Sequence, residues 1–335
     1  MEPSAAAWRW NRPARFGLSC LALFALFAAL PASAFGPLNR HTAEMAARLL
    51  AHSRFQPVLA GTTLSRGGFA VEVIHECTVV PMAILFLSFV VAAPGTARRK
   101  AVGLLAGVAA LHAANVARIA LVFVLGGISR PLFESAHVYL GQTVMVLAVV
   151  TACAAWLQLT SPDASSGGAA VFAARFTAGS AVPFLLLMAF DREYVRLTDT
   201  VVRGLFALWD VHLRIPYQHA IYYQTFNLVT LIGLFVADRK RWDARKARLF
   251  AAGLAAMGGL HLAFRVCDVL IGNVLIASFH GETAFRVSTG ISLIGQYLVP
   301  VIFWMSLDVA WQRRRTRYHK ESAPRKEGRR CERSP

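Results

Sequence analysis

The stretch Val71–His137 brings together three side chains with reaction chemistry: the thiol of Cys77, the guanidinium of Arg118 and the imidazole of His137. A thiol attacks carbon only as the thiolate, and its ordinary pKa of roughly 8.5 falls beside a cation or at a helix N-terminus. Cys77 heads an apolar run expected to be helical, and Arg118 is an available cation. A neutral imidazole can take the thiol proton and later return it to a leaving group. One nucleophile, one proton carrier and one fixed cation, carried by three successive helices at one face, make the set of a thiol hydrolase or transferase.

Each residue alone has a plainer reading. A cysteine in a membrane helix is commonly a small buried apolar residue. Arg118 can be a structural arginine tied to carbonyls or a lipid phosphate, and His137 an interfacial histidine without a task. Arg118 is the most informative of the three, because VGLLAGVAAL and IALVFVLGG flank it. An arginine at bilayer depth costs at least ~2.5 kcal/mol, so it faces the bundle interior and pairs. By helical rise it lies roughly 13 Å below Gly127, within reach of the interface for its long stem. His112 and Asn115 precede it at three-residue steps on one broad polar face, which makes Asn115 a candidate supporting residue. Glu76 is a second such candidate, orienting His137 or pairing with Arg118, although a surface carboxylate is the duller reading. A zinc site from His75, Cys77 and His137 lacks recognisable ligand spacing, so no metal and no cofactor is expected.

The elements that must position these residues are membrane helices. Hydrophobic residues make up 56% of the 335 and charged residues only 16%, against roughly 25% in soluble proteins. Several apolar runs reach the ~20 residues needed to cross a bilayer. The formal charge of +17 is gathered in short clusters between these runs. That is the pattern of cytoplasmic loops, and nucleic-acid binding is not expected. The five cysteines (Cys20, Cys77, Cys153, Cys267 and Cys331) form no metal or disulfide spacing, and Cys77 alone falls near an external surface.

The expected fold class is all-α: a polytopic helical bundle of about eight crossings with both termini cytoplasmic. Residues 1–35 form a membrane anchor or signal-like helix, with Arg9, Arg12 and Arg15 before the apolar run and Ala32-Ser33-Ala34 after it. In residues 36–70, Ala43–Phe55 suits a short amphipathic helix on the outer face, with Met45, Leu49 and Leu50 on one side. Arg66-Gly67-Gly68 marks a turn before a β-like FAVEVI. Crossings follow at about 77–93, 101–127 and 138–159, closing a core of 36–160, and 161–170 is a flexible cytoplasmic connector. A further membrane half, 171–312, has crossings at about 171–190, 224–237, 249–277 and 287–309 and an outer segment 191–223. Residues 313–335 form a basic cytoplasmic tail.

The ECTVV entry to one helix, ANVARIALVFVLG in the next and FESAHVYLGQ opening the one after resemble the exosortase and archaeosortase family, closest to its exosortase H type. The resemblance covers about 65–160. It implies a polytopic membrane cysteine protease or transpeptidase with Cys77 as nucleophile, Arg118 as stabilising cation and His137 as proton carrier. It further implies exported proteins with a C-terminal sorting signal (motif, transmembrane helix and basic tail) as partners, besides membrane lipid and an unknown acceptor. The location implied is the bacterial inner (plasma) membrane, with the site facing the periplasm or exterior. The chain departs from the family pattern after the cysteine, where Thr78, Val79 and Val80 replace the small residue and glycine that many members carry.

Two other classes stay in view. One is a transporter or lipid- or anion-binding membrane protein in which Arg118 holds an anion, although no inverted repeat supports it. The other is a scaffold whose outer segments bind a partner. In the second half, His212, Arg214, Tyr217, His219, Tyr222 and Tyr223 suit an interfacial aromatic belt or a substrate groove. Arg265 and Asp268, at i and i+3, are expected to form a structural intramembrane pair.

Overall fold

The computed structural model describes residues 12–93, 95–137, 141–160, 168–211, 222–238, 242–270 and 298–307. Helix α1 (Arg12–Ala29) is apolar along its length and stops before Pro31, which caps a 3-10 turn at Ala32–Phe35. Helix α2 (Gly36–Leu50) follows with a proline in its first turn, bent 104° away from α1. A three-stranded antiparallel sheet comes next, β1 (Val58–Ala60), β2 (Thr63–Arg66) and β3 (Phe69–Glu72), in that spatial order. Gly67 and Gly68 both have positive φ (55° and 83°) between β2 and β3, as a two-residue hairpin turn of the primed type demands. A 3-10 turn at His75–Cys77 leads into α3 (Val80–Ala92).

Helix α4 (Ala97–Ile128) starts where the Thr96 hydroxyl accepts the Arg99 N–H, and Ser129 likewise caps the short α5 (Arg130–Ser135). Helix α6 (Gly141–Thr160) completes the first half. Helix α7 (Gly168–Ala207) has a kink at Phe190, and α8 (Tyr222–Ala237) and α9 (Ala244–Leu270) pack against it. Residues 298–307 are helical and bring Leu298 and Leu307 into the core.

Close packing explains the small residues along α4. The Trp156 ring lies over Gly103 and the Phe86 ring over Gly107, so a β-carbon at either position would collide with an aromatic. Small residues at helix contacts are how membrane bundles gain packing energy when lipid and core are equally apolar. Large apolar side chains such as Leu105 and Leu159 point outward instead (76% and 81% exposed), as lipid-facing positions do.

The chain is a helical membrane protein. Four described helices are long and apolar enough to cross a bilayer, five if the bent α1–α2 pair counts as one, and Val80–Ala92 and Asn227–Ala237 are shorter apolar helices. Of the last expected crossing, 287–309, only 298–307 is described.

Two expectations need correction, and two others meet detail that spacing did not suggest. The all-α class must admit the small sheet at 58–72, where sequence periodicity pointed only to the β3 segment. The helix expected at Ala43–Phe55 is Gly36–Leu50, and it packs along the C-terminal half of α4 through Ala43, Ala46 and Leu50, while Leu49 is exposed. Alanines at that contact let the two backbones approach, so α2 lies close beside α4. The expected outer segment 191–223 begins as helix: α7 continues through Ala207, and Phe190 (φ −118°, ψ 19°) bends it where the crossing was expected to end.

Arg265 has a partner on another helix. Its guanidinium is fully buried and grips Asp199 of α7 in a fork, Nε to Oδ1 at 2.7 Å and Nη2 to Oδ2 at 3.2 Å. The side chain of Asp268, the partner expected from spacing, lies outside the described residues. Beside this pair, His261 joins Tyr194 and Asn227 by hydrogen bonds, so α7, α8 and α9 share one buried polar seam. Asp199→Ala takes the carboxylate from a buried guanidinium and should destabilise the fold by about 3–5 kcal/mol. Thermal unfolding of the detergent-solubilised protein checks this, with Leu197→Ala at an exposed position as the neutral control.

Candidate active site

Cys77 closes the 3-10 turn, its N–H bonded to the Ile74 carbonyl at 2.9 Å. It does not head α3: Thr78 is extended (φ −80°, ψ 173°) and the helix begins at Val80, with Pro81 in its first turn. The Thr78 hydroxyl donates to the His75 carbonyl at 2.6 Å and accepts from Val80 N–H at 3.4 Å, which fixes the step from turn to helix. The thiol is half-buried and packs on a cluster that includes Val73, Val116 and Ile119. His75 points elsewhere and stacks on Phe35 at 5.6 Å. The side chain of Glu76 lies outside the described residues.

Helix α4 supplies the next two groups. Asn115 is fully buried, and its Nδ2 donates to the Cys77 carbonyl at 2.8 Å. This bond ties the cysteine backbone to α4 three residues before Arg118, about 4.5 Å along the axis. The Arg118 stem runs past Gly141 at the start of α6, where an added β-carbon would sit 3.4 Å from Cδ and 3.1 Å from the Ala136 carbonyl oxygen. The missing side chain at position 141 therefore makes room for the arginine. Its Nε is buried and has no hydrogen-bond partner among the described residues.

His137 follows α5, half-buried, with its ring stacked flat on Phe133 (centroids 5.3 Å, interplanar 6°). Burial pushes its imidazole below the ordinary histidine value, and the nearby positive charge of Arg118 pushes the same way. Both causes disfavour the imidazolium. The resting side chain at neutral pH is a neutral proton acceptor.

Arg118 and His137 are thus within electrostatic reach of each other, and Cys77 is anchored by its backbone one turn of α4 away. No hydrogen bond between the Cys77 thiol and His137 is present among the described residues. Acyl transfer to a thiol needs a nucleophile, a proton acceptor and an oxyanion donor, and the Arg118 Nε, unpartnered among the described residues, is a donor of that kind.

Sequence reasoning missed the residues that hold His137. Phe69 of β3 lies over Gly126 of α4, contacts Phe123 at 5.9 Å and meets Phe133 edge-on at 5.3 Å. An aromatic chain Phe123–Phe69–Phe133–His137 therefore links the sheet to the imidazole. Nothing in local periodicity signals it, since the four come from three different elements. His112, grouped with Asn115 and Arg118 on one polar face, instead stacks on His41 of α2 at 5.5 Å. Of the polar residues noted in the second half, 212–221 and the side chains of Tyr222 and Tyr223 lie outside the described residues.

Residues 4–156 match the family model of the transmembrane exosortase (Exosortase_EpsH). The match ends inside α6, so α7 and everything after it lie beyond it. No curated protein and no solved structure matches the chain.

Proposed function

We propose, from the match of residues 4–156 to the transmembrane exosortase family model, that the protein is a membrane cysteine transpeptidase or protease that removes C-terminal sorting signals from exported proteins. The observation that carries the reading is the clustering inside the matched segment: the Cys77 carbonyl held by Asn115, one turn from an Arg118 that faces His137. The substrate is held by a C-terminal transmembrane helix with a basic tail, and a short segment outside that helix enters between α3, α4 and α6. The site faces the outside of a bacterial inner membrane, with both termini on the cytoplasmic side of eight crossings.

The steps follow from the groups present. Neutral His137 accepts the thiol proton of Cys77, and the thiolate sulfur bonds to the scissile carbonyl carbon. The carbonyl oxygen takes the negative charge, and Arg118 stabilises it. The tetrahedral intermediate collapses as the C–N bond breaks, and His137 gives its proton to the leaving amine, which departs with the substrate helix. The thioester then passes to an acceptor nucleophile, or to water. Residues 36–160 form the catalytic core in this reading, and 171–312 with its own buried seam serves as a partner- or acceptor-binding half.

The test is a processing assay. The protein is co-expressed with exported proteins of the same genome that end in motif, helix and basic tail, and their size and membrane attachment are followed by immunoblot. Shortening that depends on Cys77 supports the reading, and its absence for every candidate overturns it. The pH profile adds a signature of His137. Because its imidazole titrates below the ordinary value of about 6.5, the base form persists as pH falls through that value. Processing in membrane vesicles should therefore decline only below pH ~6.5; an acid limb above it would exclude His137 as the base.

A further inference from the structure

Strand β3 is an edge strand, and it runs directly into the turn that ends at Cys77. Its pairing with β2 places Leu64 opposite Val71, and Val73 N–H donates to the Thr62 carbonyl at 3.0 Å. In an antiparallel ladder the residues alternate, so Phe69, Val71 and Val73 turn their backbone groups toward β2. Ala70 and Glu72 turn theirs the other way. Both are exposed, and neither makes a backbone hydrogen bond on that side among the described residues.

Helix α2 packs against β1 and β2, and α4 against β3. Phe69 of β3 meets Phe133, and Phe133 stacks on His137. The strand that carries the open row of N–H and C=O groups is thus linked to His137 through Phe69, and its covalent continuation delivers the thiol. One face of the strand is packed on α4 through Phe69 and Val71, which holds it rigid.

An unpaired strand edge is a template for another extended chain. Natural edges are blunted by charge, proline or a covering element; here the outward-facing backbone belongs to Ala70 and Glu72, neither is proline, and the Glu72 charge is the one such device among the described residues. A peptide bond must also be presented in extended form for a nucleophile to reach its carbonyl. A substrate segment next to a membrane helix further needs partners for backbone groups that water no longer satisfies. Continuity with the cysteine, the link through Phe69 and Phe133 to His137 and these needs select one occupant.

We propose that β3 binds the extended recognition segment of the sorting signal as a fourth strand, by main-chain hydrogen bonds to Ala70 and Glu72, and so delivers the scissile carbonyl to Cys77. The mode is β-strand addition. It deepens the exosortase reading and rests on it. It makes recognition depend on backbone geometry at residues 70 and 72 and leaves their side chains free to vary.

The test uses the exported reporter that the wild-type chain shortens. Proline at an outward-facing edge position removes the free N–H without breaking the β2 ladder. Ala70→Pro and Glu72→Pro should each slow shortening roughly five- to ten-fold, while Val58→Thr, exposed on β1, stays within about two-fold. Because a proline variant can fail to fold, a second measurement stands beside it. In a Cys77→Ala, Glu72→Cys chain, single cysteines are scanned through the reporter's recognition segment and oxidised with copper–phenanthroline. Disulfides at every second position support strand addition. Cross-links that follow a helical period, their absence from the segment, or proline variants as fast as wild type overturn it. If the wild-type chain shortens no reporter, the exosortase reading falls and this inference falls with it.

Discussion

Cys77→Ala should leave the protein in the membrane at normal levels and abolish substrate shortening, a loss of roughly four orders of magnitude or more for a removed nucleophile. The separation of the two effects is a structural expectation. What ties residue 77 into the fold is its backbone, since Asn115 Nδ2 binds the carbonyl and the N–H closes the 3-10 turn. Alanine keeps both bonds and gives up one half-buried sulfur at the edge of an apolar cluster. Immunoblots of enzyme level, solubility in mild detergent and reporter size measure all three consequences together. Loss of the protein itself would mean that the thiol is structural, and unchanged shortening would remove Cys77 from the chemistry. Asn115→Leu is the mirror image: it keeps the thiol but frees the Cys77 carbonyl, so protein stability should fall along with activity.

Arg118→Met should reduce processing about 10²–10³-fold, the usual cost of losing a preorganised donor to a developing oxyanion. The same substitution should carry a titration signature. Arg118 is one of two influences that hold His137 below its ordinary value, burial being the larger. With the charge gone, the imidazole titrates higher, and the acid limb of the residual activity moves up toward pH ~6.5. Methionine carries no insertion penalty at bilayer depth, whereas arginine does, so the variant has no reason to fold less well. Arg118→Lys separates charge from shape. It keeps the push on His137 but replaces the planar fork with a point charge, so the limb should stay while the rate falls. A loss of rate with no movement of the limb in Arg118→Met would mean that the arginine does not face His137.

What could be read from the sequence was the helical architecture and which residues stand out in it. Arg118 announced itself by cost, since charge inside an apolar run needs a reason. Cys77 was expected to head a helix and instead closes a 3-10 turn before one. The geometry that joins them was less legible, because it is made of contacts distant in sequence and chemically bland. Asn115 bonds a carbonyl, which every residue has, so no residue type marked its partner. Phe133 and Phe69 look like ordinary core aromatics until β3 is seen to lie over α4. The pairing of Arg265 shows the same limit. Asp199 reaches the guanidinium from another helix, and local spacing carries no information about that approach.

The contact between Phe69 and Gly126 has a consequence for how this protein can change over generations. A β-carbon on Gly126 would fall inside the Phe69 ring, so neither position is free to drift alone. A lineage that enlarges residue 126 must shrink residue 69, and the ring that braces Phe133, and through it His137, goes with the exchange. Positions 69 and 126 should therefore vary as a pair among descendants that keep the imidazole in place. Their joint inheritance would trace the sheet and helix α4 back to a common origin as one unit.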